Sequence, residues 1–159
     1  MVDTQPGLHC TTHLLRRDCV SATETPHDPP PVEIKKCRIL CVDDEVIGTQ
    51  ILGEILKEQG YEVVLCHCPF AALRCDLSIF DLAILDFQMP GLNGRELLLR
   101  LRALGARFPV VLLTGCLAAL SHEDRVLFAR CFDKSMPIQR LLGTIADFLD
   151  PGQPPDYGT

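Results

Sequence analysis

Between Arg38 and Leu149 the chain alternates short apolar runs with longer amphipathic segments five times, and this alternation limits the folds it can adopt. The first run, Arg-Ile-Leu-Cys-Val, is almost continuously apolar, as a parallel strand covered by helices on both faces requires. Five strand–helix units of this length predict an α/β domain, in which a parallel sheet lies between two layers of helices.

The spacing of apolar residues and the positions of glycine and proline set the bounds of the predicted elements. The predicted strands are Arg38–Val42, Glu62–His67, Leu82–Leu85, Val110–Leu113 and Cys131–Phe132. The predicted helices are Val46–Gln59, Pro69–Cys75, Arg95–Leu104, Leu117–Ala129 and Pro137–Leu149. The fourth helix has a weak pattern, whereas the fifth has a clear apolar face made of Ile138, Leu141, Leu142, Ile145, Phe148 and Leu149.

Polar side chains follow or end four of the five predicted strands. Asp43 and Asp44 follow the first strand, Asp86 the third, Thr114 the fourth and Lys134 the fifth. In open parallel sheets, ligands bind beyond the carboxyl ends of the strands, near the point where the strand order reverses. Each residue alone has a plain structural explanation, such as a helix N-cap for the Asp pair. Their joint position at one edge predicts a functional site.

The three carboxylates at this edge predict a bound cation. Carboxylates that lie close together repel one another, and each raises the pKa of the others unless a cation holds them. Oxygen ligands in a compact site suit Mg²⁺, which takes few carboxylates and keeps several waters. We therefore expect Mg²⁺ as the cofactor.

Four segments of the chain resemble the receiver domain of response regulators in two-component systems, a domain also found in hybrid histidine kinases. The segments are Val42-Asp-Asp-Glu45, Leu85-Asp-Phe-Gln-Met-Pro-Gly-Leu-Asn-Gly94, Leu113-Thr-Gly115 and Asp133-Lys134. The resemblance covers residues from about 38 to 150, and its Asp-x-x-Met-Pro-Gly-x-x-Gly run is highly specific. It implies a doubly wound, flavodoxin-like (βα)5 sheet with the strand order 2-1-3-4-5.

The resemblance also implies a role for each carboxylate. Asp86 is the phosphoryl acceptor, and a phosphohistidine of a histidine kinase or phosphotransfer protein is the implied donor. Asp44, Asp86 and the backbone carbonyl of Gln88 are the implied Mg²⁺ ligands, and Asp43 acts on the ion through water.

The remaining motif residues are implied to act around the acceptor. Lys134 offers a compact cation to a phosphoryl oxygen. Thr114 turns its hydroxyl onto another oxygen, which couples the modification to movement of the following loop. Met89-Pro90-Gly91 shapes the turn after the third strand, and we expect Gly94 to adopt a backbone conformation that larger residues resist.

Three features depart from the family pattern. Ser135 follows the lysine where a proline, often in a cis peptide, is usual, and a cis bond before a residue other than proline costs about 3 kcal/mol. Cys131 stands where an aromatic switch residue is usual, and the stretch from Thr114 to Lys134 is slightly short. We expect an intact pocket, a trans bond between Lys134 and Ser135, and an altered relay from the pocket to the surface.

The two ends of the chain differ from its centre. Residues 1–36 show no sustained period and include a proline cluster, and residues 151–159 are rich in proline and glycine. We predict a disordered N-terminal arm or linker over 1–36, a receiver domain over 37–150 and a flexible tail over 151–159. Because neither end is long enough for an effector domain, we expect a stand-alone receiver that signals by non-covalent contact.

The amino-acid composition argues against several other classes of protein. The chain carries 21 Asp and Glu against 15 Lys and Arg and lacks the basic stripe that nucleic-acid binding needs. Its nine cysteines are odd in number and lie mostly in or beside apolar runs, which predicts reduced thiols. The longest apolar run falls far short of the roughly 20 residues of a membrane helix. We expect a cytoplasmic protein without direct contact to nucleic acid or membranes.

Two other functions fit parts of the pattern. An interaction module with the receiver fold that switches without phosphorylation is favoured by Cys131 and Ser135. An aspartate-nucleophile phosphatase of the haloacid dehalogenase type is disfavoured, because Gln88 stands where such enzymes place a second Asp. We therefore expect a phosphoryl acceptor and not an enzyme, with an unknown downstream protein as partner. The resemblance also allows a homodimer through the face of the fourth helix, fifth strand and fifth helix.

Overall fold

The computed structural model describes residues 36–149, which form a five-stranded parallel sheet with helices on both faces. The strands follow the order β2-β1-β3-β4-β5, so the fold class and the implied strand order are confirmed. The strands are β1 (Arg38–Val42), β2 (Glu62–Cys66), β3 (Leu82–Leu85), β4 (Val110–Thr114) and β5 (Arg130–Asp133). The helices are α1 (Val46–Glu58), α2 (Pro69–Ala72), α3 (Gly94–Ala103), α4 (His122–Arg125) and α5 (Ile138–Leu149).

The central strands are apolar on both faces because each face of the sheet supports its own core. All four residues of β3 are buried, and alternate residues of a strand point to opposite faces. Leu85 lies in the core under α2 and α3, whereas Ile84 lies in the core beneath α1 and α5. The edge strands β2 and β5 are partly exposed, which explains their less regular sequences.

Helix α5 buries the apolar face that the sequence predicts. Leu141 and Ile145 of α5 are buried against the sheet. The α3 helix begins with a capping box, in which the Asn93 side chain accepts the Glu96 N–H and the Glu96 carboxylate accepts the Asn93 N–H. This cap fixes the start of α3 directly after the loop that leaves β3.

The connection between β4 and β5 differs from the prediction. In place of one helix over 117–129, the structure has a 3-10 turn at Leu117–Ala119 and the one-turn helix α4. Ser121 lies between them as the N-cap of α4, and its hydroxyl accepts the Asp124 N–H at 3.1 Å. Serine favours this capping position over a helix interior, so the prediction of a continuous helix was wrong.

Several predictions concern cysteines and the chain ends. The seven cysteines within residues 36–149 are free thiols, as expected, including Cys66 and Cys75, whose sulfur atoms lie 4.0 Å apart. Almost all of the predicted arm and the whole predicted tail lie outside the described residues. Within the described part, no helix has the length and apolar character needed to cross a membrane.

Candidate functional site

Three carboxylates meet at the carboxyl edge of the sheet. Asp43 and Asp44 follow β1 and Asp86 follows β3, and these strands are hydrogen-bonded neighbours with Val42 paired to Leu85. One carboxylate oxygen from each residue lies within 4.8 Å of the others. This is the point where the strand order reverses, so the structure brings these predicted site residues together where a doubly wound sheet binds its ligands.

Asp86 is the deepest of the three carboxylates. The residue is 5% exposed, and its Oδ2 accepts the backbone N–H of Gln88 at 3.0 Å. Burial raises the pKa of Asp86, the charge of Lys134 opposes this effect, and the charge of Asp43 adds to it. A carboxylate held away from water is less solvated than one on the surface, so its oxygen is more available as a nucleophile.

Lys134 connects the carboxylates of the site. Its Nζ lies 2.7 Å from Asp43 Oδ2, 3.5 Å from Glu45 Oε2 and 3.7 Å from Asp86 Oδ1. Burial lowers the pKa of Lys134, but the hydrogen bond to Asp43 and the nearby negative charges outweigh burial and raise it overall. Lys134 therefore stays protonated and can pair with an anionic ligand.

The donor set fits a hard divalent cation. Asp43, Asp44 and Asp86 offer only oxygen ligands, and together with Glu45 they outnumber the single ammonium of Lys134. Mg²⁺ prefers such carboxylates, and it would offset the excess negative charge. The backbone carbonyl of Gln88 stays a predicted ligand.

Thr114 is buried at the end of β4, next to Asp86. It is 1% exposed, and its hydroxyl contributes a hydrogen bond that lowers the pKa of Asp86 against the larger effect of burial. The hydroxyl oxygen also lies 3.3 Å from Cys116 Sγ and accepts the Cys116 N–H at 3.4 Å. The Thr114 carbonyl accepts the Lys134 N–H at 3.0 Å, which ties the two predicted residues together.

Two contacts of the site were missed at the level of sequence. Glu45 belongs to the acidic motif but had no assigned role, and the structure places its carboxylate near Lys134. Cys116 contacts the Thr114 hydroxyl from two residues along the chain. The contact with Cys116 could have been predicted from the threonine, because Ser and Thr side chains often form hydrogen bonds with backbone groups two residues ahead.

Gly94 is required for a reason other than the predicted one. Its backbone is not among the described glycines with positive φ, whereas Gly91 has a φ of +79°. A Cβ on Gly94 would lie 2.4 Å from the backbone oxygen of Asp86 and 3.0 Å from Phe87 Cα. The expectation of a special backbone conformation was therefore wrong, because Gly94 is needed for the close approach of α3 to the acceptor strand.

The turn after β5 contains the predicted trans peptide bond. No peptide bond in the described residues is cis, so the expected trans bond between Lys134 and Ser135 is confirmed. The backbone N–H and the hydroxyl of Ser135 both donate to Asp133 Oδ1, at 2.9 and 2.6 Å. Proline at this position would lack the N–H donor, so serine stabilises a different turn.

No aromatic ring of β5 lies behind Thr114. Cys131 pairs with Leu112 across the sheet, and its thiol donates to the carbonyl of Arg125 at 3.6 Å. Phe132 points to the opposite face and is buried in the core beneath α1 and α5. The structure therefore lacks, at this position of β5, the ring that the family uses as a switch.

Comparison with known proteins identifies the class that the fold and the site define. Residues 39–137 match the family model of the response regulator receiver domain. The chain belongs to this family.

Two curated relatives contain similar regions. The chain is 34% identical over 110 residues to the sensor protein GacS of Pseudomonas syringae pv. syringae, a match that covers 65% of this chain and 12% of that protein. It is 39% identical over 90 residues to the transcriptional regulatory protein CpxR of Escherichia coli K12, which covers 57% of this chain and 37% of the regulator. The chain thus spans a minor part of these relatives.

Solved structures share the fold. The response regulator TrrA of Thermotoga maritima, solved in complex with Mg²⁺ and BeF, is 32% identical with a TM-score of 0.65, over 71% of this chain and 99% of that chain. A receiver domain protein of Clostridium thermocellum has the same TM-score of 0.65 at 23% identity, over 73% of this chain and 96% of that chain. The second likeness shows the fold alone.

Proposed function

We propose that this chain receives a phosphoryl group on Asp86 in a two-component phosphorelay. The observation that carries the proposal is the placement of Asp86, which is buried at the end of β3 with Lys134 Nζ 3.7 Å from its carboxylate. Asp43 and Asp44 lie beside it within 4.8 Å. A nucleophile, a fixed cation and a candidate metal site therefore share one small space.

The proposed donor is a phosphohistidine on a histidine kinase or phosphotransfer protein. A bond forms between an Asp86 oxygen and phosphorus, while the phosphorus–nitrogen bond breaks and its electron pair returns to the imidazole. Lys134 is placed to exchange part of its pairing with Asp43 for a phosphoryl oxygen. Thr114 is placed to give its hydroxyl to a second oxygen once it leaves Cys116.

Mg²⁺ is the proposed cofactor. Asp44, Asp86 and the backbone carbonyl of Gln88 are its proposed ligands, and Asp43 acts on the ion through water. When bound, the ion supplies positive charge that offsets the repulsion between the carboxylates and the phosphoryl oxygens. The solved complex of TrrA with Mg²⁺ and BeF supports the proposal, because that relative is 32% identical to this chain.

The first turn of α1 offers a surface for the donor protein. Helix α1 begins two residues after Asp44, and its outward side chains Ile47 and Ile51 are 71% and 57% exposed. Exposed aliphatic residues one helical turn apart are suited to pack against a helix of another protein. We place the contact with the donor here, next to the acceptor.

The chain acts in this proposal as a stoichiometric acceptor and not as an enzyme. Its output is contact with a downstream protein, without direct binding to nucleic acid. Free thiols at all seven described cysteines favour a reducing compartment, in agreement with a cytoplasmic location.

A second candidate is a receiver-fold interaction module that switches without phosphorylation. The turn stabilised by Ser135 and the thiol at Cys131 favour it, because both replace parts of the usual relay. The two candidate functions differ in one observable result. The chain gains a phosphoryl group if it is a phosphoryl acceptor, and gains none if it is an interaction module that switches without phosphorylation.

Intact mass spectrometry after incubation with acetyl phosphate and Mg²⁺ tests the proposal. We expect one added phosphoryl mass in the wild-type chain and none in Asp86→Asn. Asp147→Asn is the matched control, because it makes the same change at an exposed position of α5 and keeps the added mass. Labelling that persists in Asp86→Asn would contradict the assignment of the acceptor.

A further inference from the structure

A groove lies at the amino-terminal edge of the sheet, at the other end of the strands from Asp86. It encloses about 580 Å³ between the end of α3, the loop before β4 and the stretch from α4 to the start of β5. Among the described residues, α5 contributes none of its lining. The groove is therefore distinct from the proposed acceptor site, and it shares residues of α4 and β5, but none of α5, with the face formed by α4, β5 and α5.

Two features of this chain leave the space open. The β4–β5 connection forms only a 3-10 turn and the one-turn helix α4, in place of the predicted helix over 117–129. Cys131, which lines the groove, stands where an aromatic side chain is usual. A ring at this position would occupy part of the space that the smaller Cys131 side chain leaves open.

The groove is strongly basic in a chain whose net charge is −6. Its lining includes four arginines and one histidine, and none of the described lining residues is Asp or Glu; the arginines are Arg102, Arg107, Arg125 and Arg130, and the histidine is His122. Charges on exposed surfaces are screened over about 8 Å at physiological salt. A ligand in the groove therefore experiences the local positive charge more than the acidic remainder of the chain.

Two of the arginines are held in place by backbone carbonyls. Arg102 donates to the carbonyls of Ala106 and Phe108 at 3.0 and 2.8 Å, and Arg125 donates to those of Leu117 and Leu120. The carbonyl partners of Arg125 fix its guanidinium without cancelling its charge. Part of the positive lining is thus ordered before a ligand arrives, which reduces the entropy cost of binding.

We infer that this groove binds an acidic segment of a partner protein that also carries an aliphatic side chain. Val126 lies in the lining and is 63% exposed, so an apolar contact is available beside the arginines. Phe108 and Phe128 also line the groove but are 7% and 6% exposed, so they offer no ring on which a base can stack. The combination of cations with an aliphatic contact suits an acidic peptide better than a single-stranded nucleic acid.

Fluorescence anisotropy with the full chain and the labelled peptide Glu-Glu-Leu-Glu-Asp-Leu-Glu-Glu tests this inference. We expect saturable binding of one peptide per chain, and no binding of the same peptide with lysine at each acidic position. Arg107→Glu should weaken binding about tenfold or more, because it reverses one charge of the groove. Val126→Ser, which removes the apolar contact without adding a charge, should weaken it as well.

Arg100→Glu is the matched control, because Arg100 is an exposed arginine of α3 that does not line the groove. Its effect should stay within about twofold. Both arginines are exposed, and thermal melts of the variants report whether each remains folded. Equal weakening by Arg107→Glu and Arg100→Glu, or absence of saturable binding, would overturn the inference. Tighter binding of oligo-dT than of the acidic peptide, lost in Arg107→Glu, would assign the groove to nucleic acid and overturn it too.

Discussion

At the scale of single residues, the proposed role of Asp86 as acceptor requires a buried carboxylate, which costs folding free energy. Asp86 is the one buried carboxylate among residues 36–149. Its desolvation is offset only in part by Lys134, which lies 1 Å nearer to Asp43, at 2.7 Å against 3.7 Å. Burial therefore raises the pKa of Asp86 despite the neighbouring ammonium.

We predict that Asp86→Asn raises the thermal stability of the Mg²⁺-free protein at neutral pH. Because the folded-state pKa of Asp86 is raised, its stabilising contribution is complete below the unfolded pKa of about 3.9 and is lost as pH rises through the folded pKa. The neutral amide avoids this loss. Differential scanning calorimetry should show a gain of about 1 kcal/mol, or about 4 °C in Tm, that shrinks below about pH 4. A variant less stable than wild type at pH 7 would contradict this account.

Asp44→Ala should separate metal binding from folding. Asp44 is exposed, so we expect the free energy of unfolding to change by less than about 0.5 kcal/mol. Mg²⁺ affinity, measured by isothermal titration calorimetry, and labelling by acetyl phosphate should fall together, because one ligand of the ion is lost. Undiminished labelling of the wild-type chain in excess chelator would refute the role of Mg²⁺.

The identities of the site residues were predictable, whereas several of their contacts were not. Asp43, Asp44 and Asp86 follow apolar strands at one edge, a pattern visible in the sequence. The pairing of Lys134 with Glu45 depends on side-chain conformations across β1 and β5, which no local pattern encodes.

At the scale of elements, the β3–α3 junction positions the acceptor. The N–H of Gly94 donates to the carbonyl of Phe87 at 2.8 Å, and the capping box at Asn93 fixes the start of α3. The helix therefore approaches the backbone of Asp86 so closely that only glycine fits at its first position.

Gly94→Ala should disturb this junction. The added Cβ would lie 2.4 Å from the Asp86 carbonyl oxygen, so the backbone must move, at a cost of about 2 kcal/mol or more. We expect a lower Tm and slower labelling by acetyl phosphate. Gly143→Ala is the matched control, because a Cβ there meets nothing within 4 Å and α5 gains helix propensity, which should stabilise the domain by about 0.5–1 kcal/mol. Equal stability of the two variants would contradict the close-approach argument.

The β4–β5 connection carries the predicted switch. Thr114 leads directly into Gly115 and the 3-10 turn, and Arg125 bonds the carbonyls of Leu117 and Leu120. If the Thr114 hydroxyl moves as predicted, we expect this segment to respond first. The apolar pattern alone did not predict the broken helix, although Ser121, which caps α4, marks the break in the sequence.

Amide hydrogen exchange with and without beryllofluoride tests the location of the switch. We expect the change in protection to concentrate in Gly115–Leu120, since β5 provides no ring behind Thr114. The Asp86→Asn variant should show no change and serves as the control. Changes confined to Cys131–Met136, with Gly115–Leu120 unaffected, would place the relay in the β5–α5 turn and contradict the prediction.

At the scale of the whole molecule, the order of the strands brings the functional residues to one edge. The alternation of apolar runs and amphipathic segments predicted five strands between Arg38 and Asp133. The predicted bounds of each strand lie within two residues of the observed bounds. The order 2-1-3-4-5 did not follow from that alternation, because periodicity does not specify which strands pair. It came from the resemblance carried by the acidic motif and the segment around Asp86.

The most direct test of the central claim is to locate the phosphoryl group on the full chain. Borohydride reduces an aspartyl phosphate to homoserine, which tandem mass spectrometry of peptides can assign to one position. After treatment with acetyl phosphate and Mg²⁺, we predict homoserine at position 86 and at no other aspartate of the described domain. Homoserine at position 43 or 44, or none at all under conditions that label a known receiver, would contradict the account.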